Sequence, residues 1–252
     1  MFVKEFQKEY QAKGIALPHI VTVSSPSYHG THMEGFHRAV RALVDQLVEP
    51  TERNSNVNLL PGFVSPADIR HLKEILEDFG LNGIVLPDIS ETLDGPIQAD
   101  YAKIPEGGTP VEDIKKMGGS QATLEFGATL KKQDTAGRIL EERFGSKLYQ
   151  MGVPIGLRET DLFFSVLEIL SGQPTPKKYA LERGRLLDAF VDGHKYIFGK
   201  KAVVYGEEDL VVGLTSFLAE IGVHPILCAS GGDTGRLTEA ITAVTADLLP
   251  EP

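Results

Sequence analysis

The chain reads as an α/β protein in which parallel strands carry helices packed against them. Three observations predict this class. An apolar run at residues 57–60 leads through a helical pattern to a second apolar run at 83–86. Such a strand–helix–strand unit implies parallel strands joined by a right-handed crossover. A second unit of the same kind occupies residues 202–248. Hydrophobic residues make up 42% and charged residues 24% of 252, a mixture that folds around a sizeable core rather than staying disordered.

The elements follow in order. Residues 1–11 alternate apolar and charged positions like a helix face, without the apolar core of a secretion signal. Ile20, Val21 and Val23 predict a short buried strand at 18–25, broken by Pro26 and Gly30. Phe36, Val40, Leu43, Val44 and Leu47 recur at helical spacing over 35–48. After the 57–60 strand, Ser65 caps a helix with Pro66 in its first turn, and Gly80 stops it. A Pro- and Gly-rich loop spans 91–108, a short helix 109–116, a strand 121–126 and a helix 135–144. A short apolar run covers 151–156, and Thr160 is expected to cap the next helix. A Pro-containing linker at 173–177 precedes a long helix at 179–198, with Leu186, Leu187, Phe190 and Val191 expected on its inner side. The final unit places strands at 202–204 and 225–229 and helices at 207–221 and 234–248. Two parallel strands make a poor independent domain, so the ending reads as premature and the chain as part of a longer one. The expected division is a remnant of a first domain at 1–50, a domain at 51–175, and a connecting helix with the start of a further domain at 176–252.

The net charge of −10 argues against nucleic-acid or anionic-membrane partners, which need clustered Lys and Arg. No run approaches the roughly 20 apolar residues of a membrane span. Cys228 is the only cysteine. It forms no internal disulfide and supplies no cysteine-based cluster or zinc site, a pattern that fits a reducing cytoplasm.

Residue chemistry alone assigns no active site. His29, His32 and His37 invite a metal, but Gly30 and Pro26 mark a loop, where backbone-bonded or interface histidines are the simpler reading. The turn from Gly231 to Gly235 lies between a strand and a helix, yet it lacks GxGxxG spacing and a P-loop lysine. The acidic turn at Glu207, Glu208 and Asp209 suits a helix N-terminus and repels phosphate. Asp188 and Asp192 share a helix face, and pairing of Asp188 with Arg185 is the ordinary use of that spacing. Ser27 sits in no nucleophile elbow.

Several short blocks stand out along the chain. They are Ser25-Pro26-Ser27-Tyr28-His29-Gly30-Thr31-His32, Asn58-Leu59-Leu60-Pro61-Gly62-Phe63, Leu86-Pro87-Asp88-Ile89-Ser90 and Leu93-Asp94-Gly95-Pro96. Further along come Pro105-Glu106-Gly107-Gly108-Thr109, Pro154-Ile155-Gly156-Leu157, Leu170-Ser171-Gly172-Gln173-Pro174, the stretch from Glu182 to Asp188, and that from Gly199 to Gly206. Each block is weak singly; together, in this order and spanning nearly the whole chain, they resemble β-type chains of the nitrogenase component 1 family.

The resemblance implies Rossmann-like domains and an α2β2 assembly with an α-like paralogous subunit, on which the nitrogenase iron protein docks. The family holds two β-like kinds, the catalytic molybdenum–iron protein β chain and its paralogue in the scaffold that matures the iron–molybdenum cofactor. The stretches 118–127, 158–161, 192–198 and 228–232 look more like the scaffold paralogue. Ser27 points the other way, since it matches a serine that can ligate the P-cluster in the catalytic chain; its alternative is a turn cap. Tyr28, His29 and His32 are the corresponding interface candidates. The family's cysteine ligands precede this segment, so no cofactor is expected on this chain alone and it is not expected to be catalytic by itself. The full complex carries an iron–sulfur cluster and a precursor of the iron–molybdenum cofactor. A free-standing α/β small-molecule-binding protein remains the third reading.

Overall fold

The computed structural model describes residues 2–26, 30–97, 100, 107–130, 134–232 and 234–248. A helix, α1 (Phe2–Ala12), and residues 15–26, which have no regular secondary structure, precede α2 (His32–Leu47). Thr31 caps α2 in a capping box with Glu34, so the helix begins three residues earlier than the apolar spacing indicates. Residues 18–25 form no strand. Thr22 instead accepts from and donates to the Gln46 side chain on α2, which replaces a ladder partner.

A four-stranded parallel sheet follows, in the order β2-β1-β3-β4, built from β1 (Val57–Leu60), β2 (Gly83–Val85), β3 (Ala122–Phe126) and β4 (Lys147–Met151). Alternation along β1 and β3 sends Val57, Leu59, Leu124 and Phe126 to one side. There they pack with Ile69, Leu72 and Leu76 of α3 (Pro66–Asp78) and with Phe163 and Leu167 of α6 (Gly156–Ser171). Leu60 and Ile84 pack on the other side with Val44 of α2, Ile114 of α4 (Val111–Lys116), and Ile139 and Leu140 of α5 (Ala136–Phe144). Helices on both faces explain why β1 is apolar at three of its four positions and buried throughout. Full burial of a side chain such as Leu124 or Phe126 contributes roughly 1.5–3 kcal/mol.

The buried polar exceptions are paired. Asn58 Nδ2 donates to Met117 O and Thr123 Oγ1, Ser120 Oγ donates to Asn58 Oδ1, and Thr123 meets Ser146 at 2.9 Å. The capping box at Ser65 and the left-handed Gly145 behind α5 delimit their helices as the residue types dictate.

The chain returns through α7 (Lys177–Ile197) to a two-stranded parallel sheet of β5 (Lys201–Gly206) and β6 (His224–Ser230), with α8 (Glu208–Glu220) between them and α9 (Leu237–Thr245) after them. Phe190 packs against Phe217, as an inner position would. Leu187 and Val191 do not; Val191 is 75% exposed. Tyr179 is the one residue of this 21-residue helix that is buried; Leu186 lines a cleft, and Leu181, Val191 and Tyr196 are exposed. Thr160 lies inside α6, which begins at Gly156; its hydroxyl donates to Pro154 O. Among the described residues no helix is long and apolar enough to cross a membrane.

Candidate functional site

The sheet order reverses direction between β1 and β3, and in open parallel sheets the crevice outside the strand carboxyl ends at that point is where ligands bind. A cleft of about 620 Å³ opens there. Its walls include Phe63, Leu72, Phe126, Val153, Phe164 and Leu186. The turn after β1 needs glycine: Gly62 has φ +70°, and an added Cβ would lie 3.4 Å from Phe126 O. Phe63, 62% exposed, stands at this turn with edge-on rings from His32 at 5.9 Å and Phe36 at 5.6 Å.

On the far wall Tyr179 donates to Asp78 Oδ2 at 2.6 Å, and its phenol is pushed up to about 12 by burial and then by Asp78. Arg183 grips Asp161 through two hydrogen bonds of 2.8 Å. Arg185 pairs with Glu182, not with Asp188, since the i to i−3 partner is the one in reach.

A second, more polar cleft of about 290 Å³ lies at the carboxyl ends of β5 and β6. The acidic turn behaves as a helix start: Glu207 accepts from Asp209 N and Leu210 N, both at 3.1 Å. Glu208 accepts from Thr234 Oγ1 and N. A Cβ on Gly232 would meet Glu208 Oε1 at 2.9 Å, so a carboxylate occupies the place a phosphate would take. Asp233 lies outside the described residues, and α9 starts at Leu237, later than its apolar pattern indicates.

The two clefts share lining residues, Met33 and His37 from α2, Glu207 at the cap of α8 and Asp209 in its first turn. Burial holds the His37 imidazole below its ordinary value, with Glu207 pulling it partly back. Burial raises Glu207, and Asp209 raises it further. Burial also raises Asp209, against hydrogen bonds from Thr129. Sequence reading noted His37 and the acidic turn separately; no local signal brings them together.

Ser27, Tyr28 and His29 lie outside the described residues. His32 is the first residue of α2 rather than a loop residue, because Thr31 takes the capping position. Among the described residues no group of three or more His, Cys, Asp or Glu is arranged to hold a metal. Cys228 lies on β6 with Sγ 3.3 Å from Thr215 Oγ1. The described residues do not fit an iron–sulfur cluster, which needs several thiolates.

The fold and its clefts thus define a doubly wound α/β chain with a crevice at the switch point. Residues 1–249 match the family model for nitrogenase component 1 type oxidoreductases. The chain belongs to that family, as a β-type member. It is 34% identical to the nitrogenase molybdenum-iron protein beta chain of Clostridium pasteurianum, over 90% of this chain and 50% of that one. It is 32% identical to the nitrogenase iron-molybdenum cofactor biosynthesis protein NifN of Klebsiella pneumoniae, over 98% of this chain and 54% of that one. A solved chain of nitrogenase Cp1 at pH 6.5 superposes with a TM-score of 0.89 at 32% identity, covering 98% of this chain and 54% of its own. The chain spans about half the length of the curated relatives it matches.

Proposed function

We propose that this chain is part of a β-like subunit of the scaffold complex on which the iron–molybdenum cofactor of nitrogenase is matured. The observation that carries the reading is the likeness to the NifN of Klebsiella pneumoniae along 98% of the chain, and the blocks at 118–127, 158–161, 192–198 and 228–232 support it by their resemblance to the scaffold paralogue. In this reading an α-like paralogous subunit completes an α2β2 assembly in the cytoplasm, and the nitrogenase iron protein docks on it. The assembly holds an iron–sulfur cluster and a cofactor precursor. This chain supplies framework and interface, with Tyr28, His29 and His32 at the contact. Residues 51–175 form one Rossmann-like domain, 1–50 belong to the domain before it, and 176–252 begin the one after.

A second reading, the β chain of the molybdenum–iron protein, is favoured by the 34% identity to the Clostridium chain and by Ser27, which would then be a P-cluster ligand. The test is cofactor donation. Full-length protein purified with its α-like partner is mixed with iron protein, ATP, reductant, molybdate and cofactor-deficient molybdenum–iron protein. Restored acetylene reduction, with none from the complex alone, is the expected outcome. A complex that itself reduces acetylene at nitrogenase rates would overturn the scaffold reading in favour of the second.

A further inference from the structure

We propose that the cleft of about 620 Å³ is a binding site for an aromatic amine, whose rings lie along a row of aromatic side chains and whose ammonium group meets Glu207 and Asp209. Its volume falls within the range of small-molecule pockets, roughly 300–1,000 Å³. Phe126, Phe163, Phe164 and Tyr179 all line it. They form one row, with ring centres 5.5 Å apart from Phe126 to Phe163, 5.8 Å from Phe163 to Phe164 and 5.2 Å from Phe164 to Tyr179. A flat apolar body placed along that row gains buried area and aromatic contact together.

The charge lies at one end of the row. Asp209 Oδ1 accepts from Thr129 N at 2.8 Å, and Thr129 stands just beyond Phe126, the last residue of β3. Glu207 accepts from Asp209 N on Oε1 and from Leu210 N on Oε2. One amide per oxygen leaves acceptor capacity on both. Neither carboxyl has a Lys or Arg partner among the described residues. The other acidic groups of the cleft are engaged. Asp161 is held by Arg183 through two bonds of 2.8 Å, Glu182 pairs with Arg185, and Asp68 accepts from Ser65. Arg183 is the one Lys or Arg that lines the cleft among the described residues, and Asp161 already ties it down. An anion would therefore meet two carboxyl groups and no free cation.

The row and the acidic end together select the ligand class. Aromatic faces attract a cation placed over them. Two carboxyl groups without a counter-charge offer charge-assisted hydrogen bonds to an ammonium group. Burial raises both carboxyl groups, and a bound cation offsets that penalty. An aliphatic amine lacks the body that the row accepts, and an aromatic carboxylate brings a like charge to the acidic end. The site is the same whichever β-like kind the chain represents.

Calorimetric titration of the full chain with biphenylmethylamine, biphenylmethanol and biphenylcarboxylate tests both halves, since the three share one body and differ in the head group. The amine is expected to bind with a Kd at or below about 1 mM, the scale for a ligand of this size. It should bind about tenfold tighter than the alcohol, with the carboxylate weakest. Glu207→Gln and Asp209→Asn should each weaken the amine several-fold and leave the alcohol unchanged, a split that loss of folding would not give. Leu186→Trp, which places an indole in the cleft, should weaken amine and alcohol alike. No saturable binding of the amine to the wild type, or equal affinity for all three compounds, overturns the proposal even where a variant fails to fold. An amine affinity unchanged by all three substitutions overturns the assignment to this cleft.

Discussion

Glu220, at the end of α8, accepts hydrogen bonds from Leu157 N at 2.7 Å and Arg158 N at 3.1 Å, and so caps α6 from another element. Ile155 at the N-cap position offers no side-chain bond, and the incoming carboxylate takes its place. Glu220→Ala should cost ~1–2 kcal/mol, the usual loss on removing a helix cap. Glu220→Gln should recover part of it. Urea unfolding of the three proteins checks the order; equal midpoints for wild type and Glu220→Ala would show the bridge to be unimportant.

The same contact makes Gly156 sensitive. Its φ is +81°, and a Cβ there would lie 2.7 Å from Glu220 Oε2. Gly156→Ala combines backbone strain with displacement of the cap. We expect a loss of ~1–3 kcal/mol, the usual scale of one strained residue. Paired with Glu220→Ala, it should lose less than the sum of the two single changes.

Glu125 is the buried carboxyl in the sheet, held by Thr135 Oγ1 at 2.7 Å, Gly137 N at 3.1 Å and Gln150 Nε2 at 2.8 Å. Burial raises its pKa and the hydrogen bonds lower it, with burial winning. The folded state thus holds the proton more tightly than the unfolded one. Its stabilising effect is complete below the unfolded value of about 4.3 and is lost as pH rises through the higher folded value. Glu125→Gln should flatten that decline and lower stability by ~1–3 kcal/mol, because the amide turns a donor towards existing donors. Stability curves from pH 4 upwards read both effects, and a parallel decline in the variant would contradict the assignment.

Tyr179 ties α7 to α3 through Asp78 and packs its ring, tilted by 54°, against Phe164 at 5.2 Å. Tyr179→Phe should lose ~0.5–1.5 kcal/mol, a single hydrogen bond. Tyr179→Ala should lose ~3–5 kcal/mol with the ring. Similar thermal midpoints for the two variants would mean that the hydroxyl, not the packed ring, holds α7.

Much of the fold was legible where local chemistry decides it. The apolar run 57–60, Ser65 with Pro66, Thr135 and the glycine stops each act through bonds within a few residues. The failures arise where tertiary contacts decide. Lys147–Met151 mixes polar and apolar residues as an edge strand can, and it hid β4. The run at 18–25 had strand composition but pairs with no strand among the described residues. Thr160 resembles a cap, yet Glu220 from α8 moves the start of α6 to Gly156. Val191 repeats with core spacing on α7, and nothing in the described chain covers it. The wall of His37, Glu207 and Asp209 brings residues far apart in sequence to one cavity boundary, which no spacing encodes.

The most direct test of the scaffold reading is iron and sulfide analysis, with an absorption spectrum, of the full-length protein purified anaerobically with its α-like partner. The account predicts a simple four-iron cluster together with a cofactor precursor, and a spectrum unchanged by Ser27→Ala. The stoichiometry and spectrum of a P-cluster, altered by that substitution, would contradict it and identify the catalytic β chain instead.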